Sequence, residues 1–212
     1  MTQILVFGDS IAQGYWDKDG GWVARLRKFI DAKSIGKGEY DCLVFNLGVS
    51  GDTTEDLLQR FEFETRQRTR FKEETTFIFA IGGNDALLTK ENALLVAPKK
   101  IENNIQEIID LAEKFSKKIV FVGLTPVDER KTNPLPWAPQ FSVKNENIKK
   151  YDEIIKKVCK KNKILFIELF GNWSKINYNG LLEDGQHPNS RGHEKIFETV
   201  KDFLIENKII SL

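Results

Sequence analysis

The sequence predicts a doubly wound α/β domain, a parallel sheet covered by helices on both faces. Three observations predict it. Short apolar runs alternate with helix-periodic segments along the whole chain. The runs are continuously apolar rather than alternating in polarity, which is what strands buried on both faces require. The chain has 212 residues, 41% hydrophobic and 30% charged. That is the size and composition of one soluble domain, residues 1–212, able to bury its own core without disulfides or metals.

The elements follow in order. Residues 4–8 form the first apolar run, a buried strand that stops at Gly8. Trp22, Val23, Leu26, Phe29 and Ile30 then recur at helical spacing. Residues 42–46 read as a second strand, and Thr53 or Thr54 caps a helix carrying Leu57, Leu58 and Phe61. Residues 76–81 are a third strand, followed by a helical stripe of Ile101, Ile105, Ile108, Ala112 and Phe115. Residues 119–123 are a fourth strand. Ile148, Tyr151, Ile155 and Val158 form another stripe, and residues 164–167 a fifth strand. Asn189 or Ser190 caps a last helix with Ile196, Val200, Phe203 and Leu204. Residues 125–143 break the pattern. They hold Pro126, Pro134, Pro136 and Pro139 with Trp137 and Phe141, a long loop of the kind that often serves function in a compact domain. Residues 66–72 are charge-rich and read as a solvated helix end.

Composition excludes several classes. A net charge of +1 gives no broad basic field for nucleic acid or for an anionic membrane surface. No stretch approaches the ~20 apolar residues of a membrane helix, so no stable membrane insertion is expected. The first residues carry no basic segment followed by a long apolar one, which sets the expectation of a cytoplasmic protein. Cys42 and Cys159 sit in apolar runs and read as buried thiols. Two histidines, His187 and His193, are too few for a histidine-rich metal site. Oligomeric state leaves no mark in the sequence.

In such a sheet, ligands bind beyond the carboxyl ends of the strands. Gly8-Asp9-Ser10 follows the first strand, and Asn46-Leu47-Gly48-Val49-Ser50-Gly51 closes the second. Gly82-Gly83-Asn84-Asp85 follows the third, and Asp184-Gly185-Gln186-His187-Pro188-Asn189 precedes the last helix. Each segment taken singly is an ordinary turn or cap. Together they bring complementary groups to one edge. A serine hydroxyl needs an imidazole to take its proton during attack and to return it to the leaving group. The imidazole needs a carboxylate to fix its tautomer and offset its charge. Asp184 lies three residues before His187, a spacing that lets a turn bring the carboxylate to Nδ1 and leave Nε2 facing Ser10. The backbone N–H groups of Ser10 and Gly48 and the side-chain amide of Asn84 are candidate donors to an oxyanion. One such donor is typically worth about 100- to 1,000-fold in rate.

These residues carry a family resemblance. The chain resembles the SGNH/GDSL hydrolases, named for a Ser, a Gly, an Asn and a His in separate blocks. The first block is Phe7-Gly8-Asp9-Ser10-Ile11, with Ile11 where leucine is usual. The second runs from Asn46 to Thr53, the third is Gly82-Gly83-Asn84-Asp85, and the last is Asp184 to Asn189 followed by Gly192-His193. The resemblance implies a flavodoxin-like three-layer α/β/α sandwich with about five parallel strands. It implies Ser10, Asp184 and His187 as a triad, Ser10, Gly48 and Asn84 as oxyanion donors, and no metal or organic cofactor.

The expected activity is hydrolysis of small-molecule or lipid acyl esters, or thioesters, through an acyl-serine. A carbohydrate O-deacetylase is the rival within the family, and acyl transfer to an alcohol shares the same intermediate. A non-catalytic flavodoxin-like binding module is the rival outside it, but residues 8–14 are poor in glycine for a phosphate cradle. Tyr15, Trp16, Trp137 and Phe141 are candidates to line an acyl or alcohol pocket, with ordinary packing as the alternative. His193 is expected to be structural, and Asp9 and Asp85 to hold loops by hydrogen bonds.

Overall fold

The computed structural model of the chain describes residues 2–36, 42–69 and 74–210. Five parallel strands form the central sheet: β1 (Thr2–Gly8), β2 (Cys42–Gly48), β3 (Glu74–Ala80), β4 (Lys118–Val122) and β5 (Leu165–Ile167). Their spatial order is β2-β1-β3-β4-β5. The helices are α1 (Ser10–Gln13), α2 (Gly21–Ser34), α3 (Thr54–Arg68), α4 (Pro98–Ala112), α5 (Asn145–Lys161), α6 (Phe170–Trp173) and α7 (Ser190–Glu206). This is the three-layer flavodoxin-like order, in which the winding direction reverses between β1 and β3 and opens a crevice there.

The continuous apolar runs are explained by the two faces of the sheet. Leu5, Phe7, Phe77, Phe79 and Phe121 point to one face and pack with Leu57 and Phe61 of α3, Ile105 of α4 and Ile155 of α5. Ile4, Val6, Ile78 and Val120 point to the other and pack with Trp22 and Leu26 of α2 and Ile196 and Val200 of α7. Burying each such side chain contributes about 1.5–3 kcal/mol. Phe61 sits 5.0 Å from the Phe7 ring and 5.4 Å from the Phe77 ring, an aromatic cluster that fixes α3 across β1 and β3.

Local signals place the helix starts that matter for the site. Thr53 caps α3 in a reciprocal box with Asp56, whose carboxylate accepts from the Thr53 N–H at 2.9 Å. Asn189 caps α7 by accepting from the N–H groups of Arg191 and Gly192, both at 3.1 Å. Strand ends differ from expectation by one or two residues. Phe115 lies beyond α4 yet packs on the Phe61 and Phe77 rings. Within the 125–143 loop, Phe141–Ser142 pairs antiparallel with Leu88–Thr89, a feature too short to leave a periodic signal. In the charge-rich 66–72 stretch, Arg66 pairs with Glu62, and Arg68 pairs with Glu64. Residues 70–72 lie outside the described residues. Cys42 and Cys159 are both buried, and burial pushes the Cys159 thiol up to about 12.

Asp152 of α5 is a buried carboxyl whose oxygen accepts from the Leu124 N–H at 2.8 Å, just past the end of β4. Burial pushes it up to about 7. The folded chain therefore binds this proton over a range where the unfolded chain has lost it, and stability falls as pH rises from about 4 to about 7. Asp152→Asn keeps an acceptor for Leu124 and removes the charge. It is expected to raise the melting temperature at pH 8, by a stabilisation on the order of 2–4 kcal/mol, with the gain closing toward pH 4. Equal melting curves for the two proteins at pH 8 would contradict this.

Candidate active site

The crevice between β1 and β3 collects the four segments. Ser10 opens α1 directly after β1, and Asp9 caps that helix by accepting from the Ile11 N–H at 2.9 Å. The Ser10 Oγ lies 2.9 Å from His187 Nε2. His187 Nδ1 lies 2.7 Å from Asp184 Oδ2. Asp184 Oδ1 accepts from the backbone N–H groups of Gln186 and His187, at 2.9 and 2.8 Å. A single turn thus ties one carboxylate oxygen to its own backbone and holds the other against the imidazole. Burial alone would raise the Asp184 carboxyl, but the His187 hydrogen bond and charge, with the two backbone donors, keep it below the usual range. Asp184 is therefore ionised at neutral pH, and in the neutral imidazole it draws the ring proton to Nδ1 and leaves Nε2 to accept from Ser10.

The neighbouring acids hold loops, as expected. Burial pushes Asp9 up to about 6, against the opposing pull of the Ile11 N–H. Burial also pushes Asp85 up to about 6, although the Thr54 hydroxyl and N–H both donate to it, the latter at 3.0 Å to Oδ2. His193 is fully buried in α7 and structural. Its Nδ1 accepts from the Trp22 N–H at 3.3 Å, so its Nε2 carries the proton and donates to the Tyr15 carbonyl at 2.8 Å. Burial lowers its basicity.

The donors around Ser10 differ from expectation at one position. The Gly48 N–H donates to Asn46 Oδ1 at 3.0 Å and is not free to meet a substrate. Gly48 needs to be glycine for another reason: a Cβ there would lie 2.4 Å from the Gln13 nitrogen of α1. Gly51 offers the open backbone that Gly48 lacks. Its φ is +89°, a Cβ there would meet nothing within 4 Å, and its N–H has no hydrogen-bond partner among the described residues. The signal in the sequence was Ser50-Gly51-Asp52-Thr53, a turn running into a helix cap, where a loose N–H is found more readily than inside a strand. Asn84 is buried, and its amide donates to the Asp52 carbonyl at 2.9 Å, which orients the group and leaves one N–H uncommitted. Arg60 ties this loop to the end of β1, donating to Asp52 Oδ2 at 2.7 Å and to the Gly8 carbonyl at 3.2 Å.

The four aromatic candidates separate. Tyr15 and Trp137 have ring centroids 5.4 and 5.3 Å from the His187 ring, and both are exposed. Trp16 is turned differently: its indole N–H donates to Asp184 Oδ2 at 2.7 Å. Phe141 pairs with Thr89 and packs half-buried against the core. The 125–143 loop is tied to the histidine turn, since the Asp128 N–H donates to the Gly185 carbonyl at 2.8 Å. Among the described residues, no group of three or more His, Cys, Asp or Glu is placed to hold a metal. None of the helices described is long and apolar enough to cross a membrane.

A hydroxyl, an imidazole and a carboxylate in one hydrogen-bonded chain can perform nucleophilic acyl chemistry. A model of the GDSL-like lipase/acylhydrolase family matches residues 6–195. The chain belongs to this family. The GDSL-type hydrolase is 24% identical to the Bacillus subtilis (strain 168) protein called uncharacterized lipoprotein YqeF, over 94% of this chain and 88% of that one. That name does not support the cytoplasmic expectation. The fold superposes on a lipase/acylhydrolase from Enterococcus faecalis with a TM-score of 0.73 and 22% identity, covering 96% of this chain and 95% of that one. It superposes on Axe2, an acetylxylan esterase from Geobacillus stearothermophilus, with a TM-score of 0.72 and 19% identity, covering 96% and 92% of the two chains. These structural likenesses carry the fold, and the family match carries the class of enzyme.

Proposed function

We propose that this GDSL-type hydrolase is a serine esterase of small-molecule or lipid acyl esters and thioesters, working as one domain through an acyl-Ser10 intermediate. The observation that carries the reading is the unbroken chain from Ser10 Oγ to His187 at 2.9 Å and from His187 to Asp184 at 2.7 Å. Ser10 Oγ attacks the ester carbonyl while His187 Nε2 takes its proton. The oxyanion is met by the N–H groups of Ser10 and Gly51 and by the Asn84 amide, with Gly51 in the place first given to Gly48. The intermediate collapses, the acyl–oxygen bond breaks, and His187 returns the proton to the leaving alcohol. Water then attacks the acyl-serine by the same path, releasing the acid and restoring Ser10.

A second reading is favoured by a specific observation. Tyr15 and Trp137 present exposed rings near the histidine, 5.4 and 5.3 Å from it, surfaces on which the C–H face of a sugar can stack. An acetylated carbohydrate is then the substrate, as the name of the Geobacillus enzyme states for that protein. A series of p-nitrophenyl esters of rising acyl length, run beside an acetylated sugar, separates the two. The first reading expects turnover of acyl chains longer than acetyl at a rate at least equal to that of the sugar ester. Turnover confined to the acetylated sugar would replace it with the second, and turnover of none of them would sink both.

A further inference from the structure

Trp16 occupies a backbone conformation that the proposed reaction has not yet explained. Its φ is +63°, in the left-handed region that a bulky side chain rarely adopts. Its surface is 55% exposed, so burial of the ring does not account for the conformation. The backbone on both sides is held firmly. The Tyr15 carbonyl accepts from buried His193 at 2.8 Å. Asp17 accepts from Arg25 Nε at 2.9 Å, from the Gly21 N–H at 3.1 Å and from the Ser190 hydroxyl at 2.7 Å. These anchors present the indole N–H to Asp184 Oδ2 at 2.7 Å, the same oxygen that meets His187 Nδ1 at 2.7 Å. Strained residues held this way cluster where function needs a fixed geometry.

We propose that Trp16 is a positioning residue that acts through Asp184, rather than a wall of the substrate pocket. The inference rests on the triad reading above. Asp184 Oδ1 is already taken by two backbone donors, so the indole completes the set by fixing Oδ2. With its orientation fixed, the carboxylate keeps its charge directed at the imidazolium formed during attack. His193 and Asp17 belong to the same device, since they hold the segment that carries the ring. The sequence shows the aromatic pair Tyr15-Trp16 but not which of its rings faces the substrate and which the carboxylate.

The test is a double-mutant cycle on p-nitrophenyl acetate with Trp16→Phe, Asp184→Asn and the combined variant. Phenylalanine keeps an aromatic ring and removes the N–H. Trp16→Phe is expected to lower kcat about tenfold with KM within about twofold of the parent. In the Asp184→Asn background it is expected to cause no further loss, because its partner is already gone. An unchanged kcat, a loss confined to KM, or a second full tenfold loss on top of Asp184→Asn would each overturn the proposal. The Trp16 indole proton, recognised by its disappearance in Trp16→Phe, should also move upfield in the Asp184→Asn spectrum. An unmoved resonance would overturn the contact itself. A parent protein without turnover would sink the esterase reading, and the indole proton would still decide whether Trp16 bonds Asp184.

Discussion

Ser10→Ala is expected to lower ester turnover by about five to six orders of magnitude while leaving the fold intact. The Oγ is the atom 2.9 Å from the imidazole, and among the described residues no other hydroxyl or thiol is hydrogen-bonded to His187. The substitution leaves the helix start alone, because α1 is capped by Asp9 and not by Ser10. Alanine also suits the first turn of a helix better than serine does. The rate left behind should exceed that of water, since the oxyanion donors and the binding surface survive. Steady-state rates on p-nitrophenyl acetate, with melting curves on the same preparation, measure both halves of the expectation. Parent-like turnover by Ser10→Ala would remove serine as the nucleophile.

The second large effect is expected from Asp184→Asn, a change of one atom. The Asp184 Oδ1 accepts from two backbone N–H groups, so the carbonyl oxygen of an asparagine is held at that position. Its NH2 group then faces His187 Nδ1, where the carboxylate Oδ2 had been. Two donors cannot face each other, so the imidazole must present a lone pair at Nδ1 and move its proton to Nε2. Nε2 then points a proton at the Ser10 hydroxyl and cannot take one from it. A loss in kcat of about 10,000-fold follows, with little change in stability. A loss of less than about tenfold would mean that Asp184 does not set the tautomer. Ring nitrogen chemical shifts would show the change directly, and assignment is simple with two histidines in the chain.

The sheet was legible because the physics that buries it leaves a strong pattern. Residues such as Leu5, Phe7, Ile78 and Phe79 must be apolar on both faces, and the helices between them must show a stripe. The hydrogen-bonded arrangement of Ser10, His187 and Asp184 was legible because Asp184 and His187 share one turn and Ser10 follows a strand end, so topology brings them to one edge. Two of the proposed site residues were not legible. Gly48 and Gly51 look alike in sequence. What separates them is the direction of an N–H, fixed by the Asn46 side chain in one case and left open in the other. Trp16 was missed as a partner of Asp184 because its orientation is set by His193 and Asp17 and by a left-handed φ, none of which has a periodic or compositional trace. Phe141 follows the packing alternative, half-buried against the core beside a two-residue strand pairing that leaves no periodic trace.

The most direct test of the account is to treat the protein with a fluorophosphonate ester and locate the adduct by peptide mass. A serine activated by His187 and Asp184 should carry it on Ser10 in the parent, and the label should vanish in Asp184→Asn. An adduct on another serine, or an unlabelled Ser10 in a protein that still turns over ester, would contradict the account.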